Sequence, residues 1–171
     1  MRSPAGRSLI VALTIALAAN SLGAQQTPSG KGASGARVCS LLTTAEVEKY
    51  IARGRTMDST PEEYMDTCSY GASWGQILVY SGPNAAQRFD RLLQSFKKDK
   101  EPRYPLASLG PGGWVMYPRP DNEYQSIGAF THATVGQHVV SVFVDADKGK
   151  PAESAKSNAE ELTKLVVARL R

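Results

Sequence analysis

The chain has few cysteines and histidines, the residues that most often hold zinc and, in the case of cysteine, carry redox chemistry. It contains two cysteines and two histidines among 171 residues. No Cys-x-x-C motif occurs, so a thioredoxin-like redox pair is not indicated. Two imidazoles without a nearby third ligand make a poor zinc site, although Glu62, Glu63 and Asp66 could contribute if the fold brought them close. We therefore predict no bound metal and no cofactor.

The chain also lacks an apolar run long enough to cross a bilayer. Residues 9–19 form an apolar stretch of about eleven residues, whereas a transmembrane helix needs about 20. Arg2 and Arg7 precede this stretch, and small residues follow it up to Ala24. This order is typical of a secretory signal peptide over residues 1–24. We expect a secreted or periplasmic mature chain without a transmembrane segment, and a retained N-terminal anchor is the alternative.

A strong basic surplus is missing as well. The formal charge of +4 falls to +2 when Arg2 and Arg7 leave with the signal peptide. This is not the basic footprint that nucleic-acid binding requires. The run "KKDKEPR" at 97–103 is basic only in part and suits the solvated end of a helix, with a polyanion site as the alternative. The Gly-rich segment from 108 lacks the Gly-Lys-Ser/Thr of a nucleotide loop, so neither nucleic acid nor nucleotide is predicted as a partner.

Residues 25–37 are mainly Gly, Ser, Gln and Pro without apolar periodicity. This composition predicts a flexible leader, because it cannot bury enough apolar surface to order itself. Residues 38–171 are long enough to bury one core. We therefore predict a single domain over that range.

Capping signals predict that the domain opens with a helix over about residues 44–53. Thr43 and Glu46 have the spacing of a capping box, in which each side chain satisfies the backbone N–H of the other residue. Gly54 is a suitable stop. The helix therefore begins at a defined position a few residues after Cys39.

Cys39 and Cys68 are predicted to form a disulfide. Two cysteines in an exported chain of this size favour one structural bridge, and a metal pair or a redox pair is the alternative. The bridge would join the start of the first helix to a strand in "TCSYG". Closing a loop of about thirty residues contributes roughly 3.5 kcal/mol on the chain-entropy model.

Three segments of the chain share their motifs with a group of bacterial domains. They are "CSLLTTAEVEKYIARG" at 39–54, "CSY" at 68–70 and "SLGPGGW" at 108–114. Through these three motifs, the chain resembles a family of uncharacterised secreted or lipoprotein domains, and the resemblance covers most of residues 38–170. The members of this family have a Cys-x-Leu-Leu-Thr-x-x-Glu-Val start and a Cys-x-Tyr strand. Pro111 and Gly112 stand where that family commonly has an acidic residue. The resemblance implies an α+β domain with a disulfide. Because the family has no established activity, the resemblance implies no particular function.

Hydrophobic periodicity predicts the element order α-ββα-β-ββα. Two hairpins are predicted, the first formed by "DTCSYGAS" and "GQILVYSG" and the second by "YQSIGAFTHATV" and "QHVVSVFVDAD". A single strand, "WVMY", lies between them in the sequence. The second helix has a stripe of Ala85, Phe89, Leu92, Leu93 and Phe96. The buried positions expected in the last strand and the last helix are Val140, Val142, Val144, Ala155, Ala159, Leu162 and Leu165 or Val166. We predict an α+β fold with an antiparallel sheet of about five strands packed with three helices.

One motif raises the alternative of a small serine hydrolase. Residues 71–75, "GASWG", match G-x-S-x-G, which hydrolases place on a strand-to-helix turn. Here a strand is predicted to follow, so a hairpin turn rich in small residues is the simpler interpretation. The order of residues along the chain permits a catalytic triad of Ser73, Asp121 and either His132 or His138. The two histidines flank the second hairpin turn, and a three-residue loop would place them on one face of the sheet, whereas a two-residue loop would not.

The segment 108–124, "SLGPGGWVMYPRPDNEY", contains the candidate ligand-binding residues. Trp114, Tyr117 and Tyr124 are framed by prolines and glycines, and amphipathic rings in stiff loops suit recognition. The alternative is that these rings fill the core. We predict a secreted or periplasmic non-catalytic module that binds a small ligand or an envelope protein. A hydrolase based on Ser73 and a purely structural envelope domain are the alternatives.

Overall fold

The structure of the chain is a computed structural model. It describes residues 38–57, 61–71, 74–95, 100–118 and 127–171. Outside these ranges lie the predicted signal peptide and leader, and also Ser73, Phe96, Asp121 and Tyr124.

The described residues form an antiparallel sheet and three helices, which confirms the predicted α+β class. The strands are β1 (Glu62–Tyr64), β2 (Thr67–Tyr70), β3 (Gly75–Ser81), β4 (Tyr104–Pro105), β5 (Trp114–Met116), β6 (Gly128–Val135) and β7 (His138–Asp145). The helices are α1 (Thr44–Val47), α2 (Ala85–Ser95) and α3 (Lys156–Leu170). The strand order in the sheet is β1-β2-β3-β7-β6-β5-β4.

The sheet has seven strands among the described residues, so the prediction of about five was wrong. The five predicted strands are β2, β3, β5, β6 and β7, and the two additional ones are the edge strands β1 and β4. These have three and two residues, which is too short for the alternation that identifies a strand in a sequence. β1 is also exposed along its whole length, so it has no apolar face to recognise.

The predicted capping box starts α1. Thr43 Oγ1 accepts a hydrogen bond from the Glu46 N–H at 3.3 Å, and Glu46 Oε2 accepts one from the Thr43 N–H at 2.8 Å. The helix does not continue as an α-helix to residue 53, because Glu48–Ala52 form a π-helical turn. Arg53 donates its N–H to the Glu48 carbonyl at 2.8 Å, five residues back, and adopts a left-handed φ of 50°. Gly54, the predicted stop, follows with a φ of 83°.

A disulfide joins Cys39 to Cys68, as predicted. Cys39 lies in a 3-10 turn (Val38–Leu41) ahead of α1, and Cys68 is fully buried in β2. Beside the bridge, the Val38 N–H donates to Glu63 Oε1 at 2.8 Å. The entry of α1 is therefore tied to the β1–β2 hairpin by a covalent bond and a hydrogen bond.

The residues around α1 and α3 cover one face of the sheet, called here the α1/α3 face. Ile51, after α1, lies so close to Gly75 that an added Cβ there would be 2.9 Å from it. Thr131 of β6 hydrogen-bonds Thr163 of α3 at 2.6 Å. The predicted core positions on this face are buried, namely Val140, Val142, Val144, Ala155, Ala159, Leu162 and Val166.

Helix α2 covers part of the opposite face, called here the α2 face. Its predicted stripe is buried at Ala85, Phe89 and Leu93, and these residues pack with Met116 and Val139 of the sheet. The central strand β7 is therefore buried on both sides.

Candidate functional site

Trp114, a predicted ligand-binding residue, begins β5 on the α2 face. Its ring stacks on the His132 ring, with the ring centres 4.7 Å apart and an angle of 9° between the ring planes. The two rings meet because these residues are direct partners in β5 and β6. The Phe130 ring lies 6.2 Å away. Trp114 remains half-buried, so it contributes to the packing of this face and is also accessible from solvent.

His132 packs against two aromatic rings. Besides Trp114, it contacts Phe89 of α2 at a centroid distance of 4.8 Å, and its Nδ1 lies 3.4 Å from Ser141 Oγ. Burial disfavours the charged imidazolium and lowers the pKa of His132 to about 4, and the positive charge of Arg103 adds to the effect. We refer to Phe89, Trp114, Phe130 and His132 as the aromatic cluster.

We expect acid to destabilise the protein through His132. The imidazole has an ordinary pKa of 6.5 and a pKa of about 4 in the folded protein, so the unfolded state binds the extra proton between these values. The free energy of unfolding should therefore fall between about pH 6.5 and pH 4, by at most about 3 kcal/mol.

Urea denaturation at stepped pH measures this effect, and His132→Phe, which keeps a ring in the cluster, is the control. The variant should be much less sensitive to pH over this range. Protonation of Glu46 lowers the free energy of unfolding further only below about pH 4.5, because hydrogen bonding to Arg169 lowers the pKa of Glu46 from 4.5 to about 2. An equal pH dependence of the two proteins between pH 6.5 and 5 would contradict the assignment.

Tyr117, the second predicted residue, packs on the other side of the sheet. It lies three residues after Trp114, and side chains alternate between the faces of a strand. Its ring is 5.8 Å from the Tyr104 ring at 40° and packs against the core of the α1/α3 face. Burial raises the pKa of Tyr117. The structure thus brings Trp114 and Tyr117 to the same edge of the sheet but to opposite faces, and Tyr124 lies outside the described residues.

Two residues at this edge were not found from the sequence. Tyr104 of β4 is 51% exposed, and the guanidinium carbon of Arg103 lies 4.9 Å from the centre of the Trp114 ring. The only signal that the sequence offers for them is an aromatic residue between a cation and a proline, Arg103-Tyr104-Pro105. We refer to Arg103, Tyr104, Trp114 and Tyr117 as the β4–β5 edge surface.

The two histidines lie on opposite faces of the sheet. Val135 pairs with His138 across a two-residue loop, and this is the loop length for which the sequence predicted separate faces. His138 Nδ1 hydrogen-bonds Ser81 Oγ at 2.8 Å, and these residues are direct partners in β7 and β3. Cross-strand pairing alone accounts for this contact. Ser73 and Asp121 lie outside the described residues, so the hydrolase alternative stays a hypothesis.

A charged cluster links the segment after α1 to the end of β7. Arg53 donates to the Asp145 carbonyl at 2.6 Å and lies 3.3 Å from the Asp147 carboxylate. Arg55 pairs with the Asp145 carboxylate at 3.4 Å and stacks over Trp74 at 4.3 Å. Burial raises the pKa of Asp145 despite these two cations. The charges of this cluster are used in internal pairs that fasten the chain after α1 to the sheet.

In the part of the chain that the structure describes, no three His, Cys, Asp or Glu side chains are grouped so that they could hold a metal ion. Within the same ranges, no helix combines the length and the apolar character that a bilayer span requires.

Comparison with known proteins adds no family assignment. The chain matches no protein-family model and no curated protein sequence. The resemblance to secreted and lipoprotein domains therefore stays a prediction, and the function is argued from the geometry of the described residues.

Proposed function

We propose that the chain is an exported, non-catalytic binding module that contacts a small ligand or an envelope protein through the β4–β5 edge surface. The observation that carries the proposal is the exposed ring of Tyr104, which lies against Tyr117 at the edge of the sheet. Aromatic side chains and arginine are enriched among the residues that dominate binding energy.

The compartment is part of the same proposal. The Cys39–Cys68 disulfide is of the kind that persists in oxidising compartments, and residues 1–24 have the composition of a secretory signal peptide. A secreted or periplasmic location accommodates both features. The resemblance to secreted and lipoprotein domains supports the same compartment.

The β4–β5 edge surface is held in a defined shape. The Leu106 N–H donates to the Gly113 carbonyl at 2.9 Å and closes the connection between β4 and β5. Pro105 restricts the backbone of β4 and has no N–H to offer to a further strand. Because ring and backbone are already positioned, a ligand would immobilise few side chains on binding.

Arg103 supplies the polar element of this surface. Its guanidinium stacks on Trp114 and keeps its donors available at the rim of that ring. The side chains of Arg103 and Tyr104 lie on opposite faces of the edge strand. A ligand that spans this edge and combines a ring or an apolar chain with an acceptor group would match both. Such a pairing orients the ligand as well as holding it.

We expect Tyr104→Ala to weaken ligand binding at least tenfold and to leave the fold intact. The ring contributes contact area at the surface, whereas only its side toward Tyr117 contributes to packing. Two-dimensional NMR measures the binding affinity. The isotope-labelled domain is titrated with the small-molecule fraction and with the solubilised protein fraction of the cell envelope. In the wild type, the chemical-shift changes during the titration should concentrate on the Trp114 indole and on residues 103–117.

Tyr104→Phe is the matched control, because it keeps the ring and should keep most of the affinity. Shifts confined to other parts of the sheet, or equal affinities of wild type and Tyr104→Ala, would remove the β4–β5 edge surface as the binding site.

A further inference from the structure

The β1–β2 hairpin carries two adjacent and strongly exposed apolar side chains. Tyr64 is 72% exposed and Met65 is 76% exposed. Both values exceed the 51% of Tyr104 and the 43% of Ile127, which are the other exposed large hydrophobic residues of the described ranges. Tyrosine and methionine are enriched in protein interfaces relative to the rest of the surface.

The backbone at Met65 has an unfavourable conformation for its residue type. Met65 is the first residue of a two-residue hairpin loop and has a φ of 51°. Glycine and asparagine are the usual residues in this region, and a bulky side chain there is uncommon. Strain of this kind collects at functional sites, where the structure around it maintains the conformation. A methionine at this position therefore suggests that its exposed side chain has a use.

The hairpin is fixed from several sides. The Asp66 carbonyl accepts a hydrogen bond from the Val79 N–H at 2.8 Å, and the Asp66 carboxylate pairs with Arg88 of α2. Cys68, three residues after Met65, is covalently bonded to Cys39. Tyr64 and Met65 are thus presented on a rigid support, which lowers the entropy that a complex would lose.

The charge around the two side chains is negative. Glu62 of β1 is exposed. Glu63 beside it accepts a hydrogen bond from the Val38 N–H, and Asp66 pairs with Arg88. An anionic lipid surface would be repelled by these carboxylates, and a basic protein surface would be attracted. The chain as a whole has a formal charge of +4, so this acidic patch is a local feature.

We propose that Tyr64 and Met65 form a docking tip that inserts into an apolar socket of a partner protein, and that basic side chains surround this socket. The two apolar side chains fill the socket and provide most of the affinity, while the exposed Glu62 selects the basic rim and speeds association. This site is separate from the β4–β5 edge surface, because β1 and β4 are opposite edges of the sheet.

The test combines a photo-cross-linker with variants of the neighbouring residue. p-Benzoylphenylalanine at position 64 of the full chain, expressed in the native host, is activated by light, and adducts are identified by mass spectrometry. We expect one discrete protein adduct whose cross-linked peptide contains lysine or arginine beside apolar residues. The adduct should decrease at least tenfold with Met65→Gly and several-fold with Glu62→Lys, and it should persist with Met65→Leu.

Met65→Gly also provides a readout that separates binding from folding. Because glycine adopts a positive φ without penalty, the variant should melt at the same or a higher temperature while it loses the adduct. An adduct that survives Met65→Gly or Glu62→Lys would overturn the proposal. An adduct to lipid or to a second copy of this chain, the absence of any discrete adduct, or a lower melting temperature of Met65→Gly would do so as well. The β4–β5 edge surface is unchanged in all of these variants, so its NMR titration distinguishes a failure here from a failure of the proposed function.

Discussion

Removal of the disulfide in the double variant Cys39→Ala, Cys68→Ala is expected to lower the free energy of unfolding by about 3.6 kcal/mol. The two residues are 29 positions apart, and the chain-entropy model assigns this value to a loop of that size because the unfolded chain gains freedom. For a domain of this length the loss corresponds to a fall in melting temperature of about 10 to 15 °C.

Urea denaturation of the variant and of the wild type, each with and without a reducing agent, measures the effect. Reduced wild type and the double variant should unfold at similar urea concentrations, and reduction should not affect the variant. The far-UV circular dichroism should remain close to that of the wild type, because α1 retains its capping box and the sheet retains its ladders. A loss below about 1 kcal/mol would mean that the unfolded chain is already restricted without the bridge.

Phe89→Ala is expected to destabilise the protein by about 3 to 5 kcal/mol, the usual range for deleting a buried phenylalanine ring. Phe89 is only 2% exposed, and its ring lies within 6.4 Å of the rings of Tyr80, Trp114, Phe130 and His132. It is the residue that α2 contributes to the aromatic cluster.

The same substitution should also change the titration of His132. Water that enters the vacated space solvates the imidazolium, so the pKa of His132 should rise from about 4 toward its ordinary value. Urea denaturation and an NMR titration of the imidazole measure the two effects. Arg91→Ala, on the exposed side of α2, is the control and should change stability by less than about 0.5 kcal/mol. An unchanged pKa in Phe89→Ala would show that Phe89 is not what excludes water from His132.

Local chemical signals made the first helix, the disulfide and both central hairpins predictable. The Thr43–Glu46 box and Gly54 mark the helix by side-chain and backbone geometry alone, without reference to the rest of the fold. The π-helical turn at Glu48–Ala52 was not predictable from these signals, because they give the two ends and leave the hydrogen bonding between them open.

The candidate site was predicted less well, although one relevant signal was available. Trp114 and Tyr117 are separated by three positions, so the alternation of an extended strand already places their side chains on opposite faces. Tyr104 could not be assigned because β4 pairs over only two residues, and such a pairing depends on the position of β5. The left-handed conformation of Met65 is likewise opposed to its residue type, and only the surrounding structure maintains it.

The width of the sheet sets a distance between its two edges. Six spacings of about 4.8 Å separate β1 from β4, so Met65 and Tyr104 belong to edges about 29 Å apart along the sheet. A ligand bound at one of the two proposed sites would therefore leave the other accessible, and a ternary complex would be able to assemble in either order. In such a complex the domain would act as a rigid spacer: it would hold the two partners at a nearly constant distance and raise their mutual effective concentration without direct contact between them.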